Sequence, residues 1–274
     1  MHYRPVFWPP MAERREALPS ETERHLENLS PLMPMLRKLQ LWLPLDAADQ
    51  AAILALPFTL KSMSAREFIA REDDKPSHSC LLLEGYAVRH KLAGNGGRQI
   101  FSVHMKGDVV DLHNSILRRA DHNVETLTAA EVALIPVTAI RDLAASHPQV
   151  GQAMWYETLV DAAIFREWTL NVGRRDARAR TAHLLCEFAV RMSVAGLGKR
   201  SSYDLPMTQE QLADALGLTG IHVNRMLKAL ARENLITTSK RSLSIVDFDQ
   251  LARVGDFDTR YLHLDRVDPE TLTL

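Results

Sequence analysis

A stripe of side chains near the end of the chain combines groups that can recognise the edges of base pairs. Its residues are spaced at i, i+3, i+4 and i+7, so they fall on one face of an α-helix. An arginine can hold O6 and N7 of guanine, an asparagine can hold N6 and N7 of adenine, and an isoleucine can contact a thymine methyl group. With the glycine that begins the helix, the predicted base-reading residues are Gly220, Ile221, Asn224, Arg225 and Lys228.

The residues around this stripe predict two short helices joined by a tight turn. Thr208 is followed three positions later by Gln211, a capping-box pattern that begins the first helix. Gly217 can adopt the positive φ of a tight turn, and Thr219 can cap a second helix over residues 220–233. Two short helices joined by such a turn form a helix-turn-helix unit.

Other side chains near this unit are predicted to contact phosphate groups. The start of a helix presents free backbone N–H groups, which favour anions. Residues 237–245 have the pattern of two short strands around a basic turn, which is typical of a wing. The predicted phosphate-contacting residues are Thr208, Gln209, Thr219, His222, Lys240 and Arg241.

The charge of the chain is unevenly distributed. The formal net charge of the whole chain is −1, yet residues 174–241 contain twelve Lys and Arg against six Asp and Glu. A basic segment on an otherwise acidic chain indicates a phosphate-binding domain, although an ordinary solvated basic face has the same composition. The charge pattern alone therefore leaves both interpretations open.

One long segment before the basic region is apolar on nearly every side. Between Ala153 and Leu170, twelve of eighteen residues are apolar, which corresponds to roughly 27 Å of helix. Because two apolar faces need two partners, we expect one face to pack on the preceding domain and the other on a second subunit. The central helix of a large monomeric core is the alternative. The predicted dimer-interface residues are Met154, Tyr156, Leu159, Ile164, Phe165 and Trp168.

The segments on either side of this helix differ in their periodicity. Residues 58–135 alternate short apolar runs with turn residues, which is typical of a sandwich or a jelly-roll barrel. The strands are predicted at 80–83, 86–91, 99–105, 109–110, 124–128 and 132–135. Asp176 begins a helix over 177–193, whose predicted buried stripe is Ala182, Leu185, Cys186 and Ala189.

Three stretches resemble the Crp–Fnr family of transcription regulators. Residues 207–236, MTQEQLADALGLTGIHVNRMLKALARENLI, resemble the winged helix-turn-helix of that family. Residues 107–112, GDVVDL, resemble a turn of its cyclic-nucleotide-binding barrel, and residues 174–191, RRDARARTAHLLCEFAVR, resemble the first helix of its DNA-binding domain. The resemblance implies a homodimer that binds double-stranded DNA, with RNA polymerase as a further partner if the protein is an activator.

The fold class predicted by pattern and resemblance is α+β. It comprises an N-terminal antiparallel jelly-roll barrel, a long dimerisation helix and a C-terminal winged helix-turn-helix domain. The predicted division is a mobile arm at 1–30, a sensor barrel at 31–148, the dimerisation helix at 149–173, the DNA-binding domain at 174–250 and a tail at 251–274.

The sequence departs from the family pattern where effectors bind. Family members that bind cyclic AMP carry Gly-Glu soon after the GD turn and an Arg-Ser or Arg-Thr pair further on, whereas this chain has Asp111-Leu112 and His122-Asn123. We therefore expect no cyclic AMP binding, since a buried phosphate would face Asp111 without a guanidinium partner. The two cysteines, Cys80 and Cys186, cannot supply the four ligands of an iron–sulfur cluster. At the reading face, only Arg225 matches the common family residues.

Other functional classes are disfavoured by the same residues. The chain has no apolar run long enough for a membrane span and no pattern of a signal peptide, so a cytoplasmic protein is expected. No His-x-His motif or catalytic serine motif occurs in the strand region, so neither an enzyme nor a metal site is predicted. No cofactor is predicted, although haem or another small effector, with a histidine or Cys80 as the axial ligand of haem, remains an alternative. A protein-interaction module and a regulator without any ligand also remain open.

Overall fold

The computed structural model describes residues 30–239 and 242–264. Two short helices come first: α1, Met33–Gln40, and α2, Ala47–Leu54. Asp46 caps α2 by accepting a hydrogen bond from the backbone N–H of Asp49. Pro34 lies in the first turn of α1, where its missing N–H costs no helical hydrogen bond, so the helix continues through it.

Two antiparallel sheets form the N-terminal domain. The first has the strand order β1-β7-β3, with β1 at Thr59–Met63, β7 at Ala130–Pro136 and β3 at His78–Glu84. The second has the order β2-β6-β4-β5, with β2 at Phe68–Ala70, β6 at Asn123–Thr126, β4 at Ala87–Leu92 and β5 at Arg98–His104. The predicted α+β class and jelly-roll arrangement are confirmed, but the sheets do not close into a barrel.

The connections between these strands include a short 3₁₀ helix and a hairpin turn. A 3₁₀ helix, Leu112–Ser115, follows the GD turn, and the predicted strand at 109–110 is only an isolated bridge between Leu81 and Val109. The hairpin between β4 and β5 turns at residues 93–97, a stretch that contains three glycines. Strand β5, which follows this turn, lies next to the C-terminal domain.

Helices connect the two domains. Helix α3, Val137–Ser146, was not predicted, and it leads into the long α4, Pro148–Arg174. Helix α5, Ala177–Val194, is capped by Asp176, whose carboxylate accepts from the N–H groups of Arg178 and Ala179. The four residues of the predicted stripe are buried, but so is every other residue of α5 from Thr181 to Val190, so burial is not limited to one stripe.

The C-terminal domain surrounds α5. It contains β8, Ser202–Asp204; α6, Gln209–Leu216; α7, Gly220–Arg232; β9, Ile236–Ser239; and β10, Ser242–Ile245. Helix α8, Phe248–Gly255, and a 3₁₀ helix, Thr259–Leu262, follow. The predicted domain boundary at 250 falls inside α8, and this helix packs so closely on α5 that a Cβ at Gly255 would lie 2.5 Å from the backbone nitrogen of His183. The first residues assigned to the tail thus pack with the C-terminal domain.

Within the described ranges, no helix has the length and apolar character needed to cross a membrane.

Candidate nucleic-acid interface

Helices α6 and α7 are joined by the local interactions that the sequence predicts. The Thr208 hydroxyl accepts from the Gln211 N–H at 3.2 Å, and the Gln211 side chain accepts from the Thr208 N–H at 2.8 Å. Gly217 ends α6 with φ of 61°, in the left-handed region where a side chain is disfavoured. Thr219 then caps α7, accepting from the His222 N–H at 3.3 Å. The two helices therefore form a helix-turn-helix with well-defined ends.

One face of α7 is buried and the opposite face is open to solvent. Val223 and Leu230 have no exposed surface, and they anchor α7 in the domain core. Ile221 is 83% exposed, which is unusual for an isoleucine and leaves its side chain free to contact another molecule. Arg225 and Lys228 are exposed as well, and neither forms a hydrogen bond or ion pair with any residue in the described part of the chain.

Asn224 links the reading face of α7 to the start of α6. Its Nδ2 donates to Oε1 of Gln209 at 3.1 Å, and the Asn224 side chain is half-buried. The amide retains further donor and acceptor capacity, since an asparagine side chain offers two N–H groups and a carbonyl oxygen. The contact fixes the position of the Asn224 amide beside Arg225 and leaves some of its donor and acceptor capacity available.

The structure places most of the predicted phosphate-contacting residues near the same surface. Thr208 and Gln209 lie at the start of α6, Thr219 and His222 lie at the start of α7, and all four are exposed. Gly220 is the first residue of α7. Lys240 and Arg241 lie outside the described residues.

The helix-turn-helix is docked on the N-terminal domain. Arg98, the first residue of β5, forms an ion pair of 2.7 Å with Asp214 of α6. Next to it, the Gln99 side chain donates to the Ala215 carbonyl at 3.2 Å. Arg180 of α5 donates to the Leu216 carbonyl at 2.8 Å, so both domains hold the end of α6. The sequence pattern contains no signal for this contact, because it joins residues that are 116 positions apart.

Comparison with known proteins identifies the family to which this architecture belongs. Residues 179–254 match the Crp-like helix-turn-helix domain family, and residues 60–147 match the cyclic nucleotide-binding domain family. A probable transcriptional regulator, flp, from Lacticaseibacillus casei is 30% identical over 180 residues, covering 65% of this chain and 79% of that protein. This chain belongs to the Crp–Fnr family of transcription regulators.

Other Crp–Fnr proteins share most of the chain. The transcriptional activator protein FnrL of Cereibacter sphaeroides is 28% identical, over 78% of this chain and 87% of its own length. The solved structure of FixK2 from Bradyrhizobium japonicum superposes with a TM-score of 0.67 at 26% identity, covering 73% of this chain and 98% of that one. The helix-turn-helix described above is therefore the DNA-binding unit of a Crp–Fnr regulator.

A cavity of about 750 Å³ lies between the second sheet, α1, α4, α5 and residues 262 and 264. Three cations that line it are already paired: Lys38 with Asp108 at 3.0 Å, Arg191 with Glu187 at 3.1 Å, and Arg89 with Asp161 of α4. Arg89, which was not predicted as a site residue, supplies a guanidinium to this cavity from the middle of β4. An anion would have to compete with the carboxylates that hold these cations.

Asp111 occupies the position where members that bind cyclic AMP have a glycine. It is buried, and its carboxylate accepts from the Cys80 N–H at 2.7 Å. Burial raises the pKa of the Asp111 carboxyl group to about 6, against the lowering effects of this hydrogen bond and of Arg89. A second negative group placed beside Asp111 would be repelled.

The residues predicted for the dimer interface divide into two groups. Met154, Ile164 and Trp168 are buried within their own chain, and the Trp168 indole donates to Glu187 at 2.9 Å, so these three side chains pack inside their own subunit. Tyr156 stacks on Trp42 with ring centroids 5.4 Å apart. Leu159 and Phe165 are half exposed, as the assignment requires. The exposed side chains that the assignment missed are Trp155 and Leu170.

One group of side chains in the described residues has the composition of a metal site. His113, Asp121 and His122 offer ligand atoms that all lie within 4.8 Å of one another. They were not predicted as metal ligands, because they form no His-x-His motif and come from two different loops.

Proposed function

We propose that this chain acts as a homodimeric, sequence-specific DNA-binding regulator, not an enzyme, and inserts α7 into the major groove. The observation that carries the proposal is the exposed stripe of Ile221, Arg225 and Lys228, in which both cations lack partners among the described residues. Side chains this exposed bury little surface within their own chain, whereas the same groups match base edges and phosphates. Asn224 completes the reading face, and Thr208, Gln209, Thr219 and His222 contact the backbone of the DNA.

The exposed face of α4 supports the homodimer. Trp155 is 66% exposed, Leu159 51% and Leu170 44%. At about 100° per residue, these three side chains lie within roughly 60° of one another around the helix. An apolar stripe on a 27-residue helix fits a two-fold seam with the same helix of a second subunit. The two-fold axis would place two α7 helices in successive major grooves, about one helical turn apart.

Neither cyclic AMP nor an iron–sulfur cluster controls the protein in this proposal. Asp111 and the paired cations of the cavity oppose a cyclic phosphate, and Cys80 and Cys186 are both buried. A signal received in the N-terminal domain would act through the junction at residues 171–176 and through the contact between Arg98 and Asp214. If the protein is an activator, the dimer would also contact RNA polymerase. DNA and RNA polymerase would both be bound in the cytoplasm.

A mobility-shift experiment tests the proposal. Purified protein is incubated with genomic fragments at low salt and compared with a variant carrying Ile221→Ala, Asn224→Ala, Arg225→Ala and Lys228→Ala. We expect the unaltered protein to retain a subset of fragments and the variant to lose them. Arg141→Ala, which removes an exposed arginine on α3, is the control and should bind as the unaltered protein does. If no fragment is retained, the proposed DNA binding is contradicted.

A further inference from the structure

Two histidine rings and a carboxylate meet beside the second sheet. His113 comes from the 3₁₀ helix, and Asp121 and His122 immediately precede β6. The two imidazole rings have their centroids 5.0 Å apart, with planes inclined by 40°. Asp121 approaches from the solvent side, with 75% of its side chain exposed. The cluster thus has an inner part formed by imidazoles and an outer part formed by a carboxylate.

Each ring has a buried nitrogen without a hydrogen-bond partner. Nε2 of His113 and Nε2 of His122 are both inaccessible to solvent, and neither meets a donor or acceptor in the described part of the chain. His122 as a whole is only 8% exposed. Burying an unpaired polar atom is unfavourable, so two such nitrogens in one cluster need an explanation. A cation bound between the rings would supply it.

Aromatic packing accounts for only part of this arrangement. The His122 ring meets Phe101 edge-on with centroids 5.3 Å apart, which explains why the ring is buried. The contact offers no hydrogen bond to Nε2, and an apolar side chain would fill the same space without an orphaned nitrogen. A purely structural role therefore leaves the choice of two histidines unexplained.

The backbone around the cluster is held on both sides. Lys91 of β4 donates to the Asp121 carbonyl at 2.7 Å, and the N–H of Ala120 donates to the Asp74 carbonyl at 3.0 Å. The N–H of Leu117 donates to the His113 carbonyl at 2.8 Å. Nδ1 of His122 lies 2.6 Å from Oδ1 of Asp121, so the carboxylate also fixes the orientation of that ring. Ligands held in this way bind a metal ion without a large ordering cost.

The electrostatic surroundings permit a cation. Burial lowers the pKa of both histidines, and the positive charge of Arg89 lowers it further. The Arg89 guanidinium is neutralised by its ion pair with Asp161, and Asp121 adds a second negative charge. Neutral imidazoles keep a lone pair for coordination.

We propose that His113, Asp121 and His122 form a binding site for a divalent transition-metal ion. Two imidazoles and one carboxylate suit zinc and the neighbouring first-row metals, and they leave coordination positions for solvent or another ligand. Calcium and magnesium are disfavoured because they select oxygen ligands.

Zinc binding by the full-length chain tests this site. Protein stripped with a chelator is titrated with zinc by calorimetry, and with cobalt while visible absorption is followed. We expect one zinc ion per chain, with the affinity lowered more than tenfold in His113→Ala and in His122→Ala. Asp121→Asn should also lower the affinity, because it removes the carboxylate from the ligand set. His78→Ala removes an exposed histidine that is hydrogen-bonded to Ser77, and it should leave the affinity for zinc unchanged.

Melting temperatures separate a lost site from a lost fold. Zinc should raise the melting temperature of the unaltered protein and of His78→Ala, but not that of His122→Ala. The exposed Asp121 allows Asp121→Asn to fold even if a histidine variant does not. Stoichiometric zinc binding that survives the double change His113→Ala with His122→Ala overturns the proposal, as does a failure of the unaltered protein to bind zinc at millimolar concentration.

The position of the site connects it to the proposed dimer, and this consequence rests on the proposed function. Phe101 touches His122 on one side and Phe165 of α4 on the other, at a centroid distance of 5.7 Å. A coordinated His122 would fix Phe101 and thereby the adjoining part of α4. DNA affinity should then depend on zinc in the unaltered protein and not in His122→Ala. A protein that binds zinc but no DNA would contradict the proposed function and leave the metal site standing.

Discussion

At the scale of single residues, Arg225 carries the most specific expectation. Its guanidinium is exposed and has no ion-pair partner among the described residues, so it is free to bind guanine. We predict that Arg225→Ala weakens binding by about 1–3 kcal/mol at one base step and relaxes specificity there. The measurement is the dissociation constant for an operator and its single-base variants.

The control is Arg141→Ala, which removes the same type of side chain from exposed α3. It should change no dissociation constant. An equal loss on every DNA sequence after Arg225→Ala would show that the guanidinium contacts only phosphate.

His183 makes stability depend on pH. This fully buried side chain of α5 faces Arg175, Glu167 at 3.8 Å, Tyr261 and the Gly255 carbonyl, near Asp256. Burial, followed by the charge of Arg175, lowers the pKa of His183 from 6.5 to about 4. Because the folded state disfavours the charged ring, its contribution is fully present above pH 6.5 and is lost as the pH falls toward 4. The shift corresponds to about 3 kcal/mol in the free energy of unfolding.

Urea unfolding at a series of pH values checks this expectation. The slope between pH 6.5 and 4 should be smaller in His183→Gln than in the unaltered protein. His78→Gln, at an exposed site, should keep the full slope. A slope that His183→Gln leaves unchanged would assign the effect to other groups.

Local signals predicted the helix caps but not the partners of apolar residues. Asp176, Thr208 and Thr219 cap the helices expected of them, since a cap involves only residues close in sequence. Met154, Ile164 and Trp168 have the same apolar character as Leu159, yet only the fold determines which of them face the solvent. A composition rule cannot separate an internal face from an intersubunit face.

At the scale of elements, the docking of α6 on β5 offers a test of communication between the domains. Arg98 pairs with Asp214 at 2.7 Å, with both side chains about three-quarters buried. We expect Arg98→Ala to loosen this contact by about 1 kcal/mol or less, the usual range for a partly exposed pair. Hydrogen exchange of the α6 amides should accelerate a few-fold.

Lys75→Ala removes an exposed cation from the same domain and should leave exchange in α6 unchanged. Unchanged exchange after Arg98→Ala would mean that the ion pair contributes nothing to docking.

The elements that the sequence missed share a physical cause. Strand β1 is almost entirely exposed and β2 has three residues, so neither gives a strong alternating pattern. Helix α5 is buried on all sides because α7, α8 and α4 surround it, whereas a single-stripe prediction assumes one partner. Periodicity predicts the type of an element more reliably than it predicts how many other elements pack against it.

At the scale of the whole molecule, the exposed apolar face of α4 predicts a dimer. Leu159→Asp places a charge in the proposed seam and should weaken the dimer by about 2 kcal/mol or more, since the charge would be buried without a partner. Light scattering after size-exclusion chromatography should show that Leu159→Asp dissociates into monomers as its concentration is lowered.

The matched control is Leu60→Asp, which alters a leucine of β1 that is 55% exposed and lies outside α4. It should remain dimeric. An unaltered protein that is monomeric at every concentration would contradict the dimer.

The order of domains was predictable because each has its own period. A period of two marks the sheets and a period of 3.6 marks the helices, and the Crp–Fnr resemblance of residues 207–236 fixed the C-terminal unit. The contacts that join the domains, such as Arg98 with Asp214 and Arg89 with Asp161, come from residues far apart in sequence. The same holds for His113 and His122, whose proximity depends on the fold.

Selection from a random pool of duplex DNA tests the DNA-reading role of α7 most directly. We expect the purified protein to enrich a near-palindromic sequence with two half-sites about one helical turn apart. Arg225→Ala should lose one base preference in each half-site. A protein that enriches no sequence at low salt, or one whose preference is indifferent to Ile221, Asn224, Arg225 and Lys228, would contradict this role.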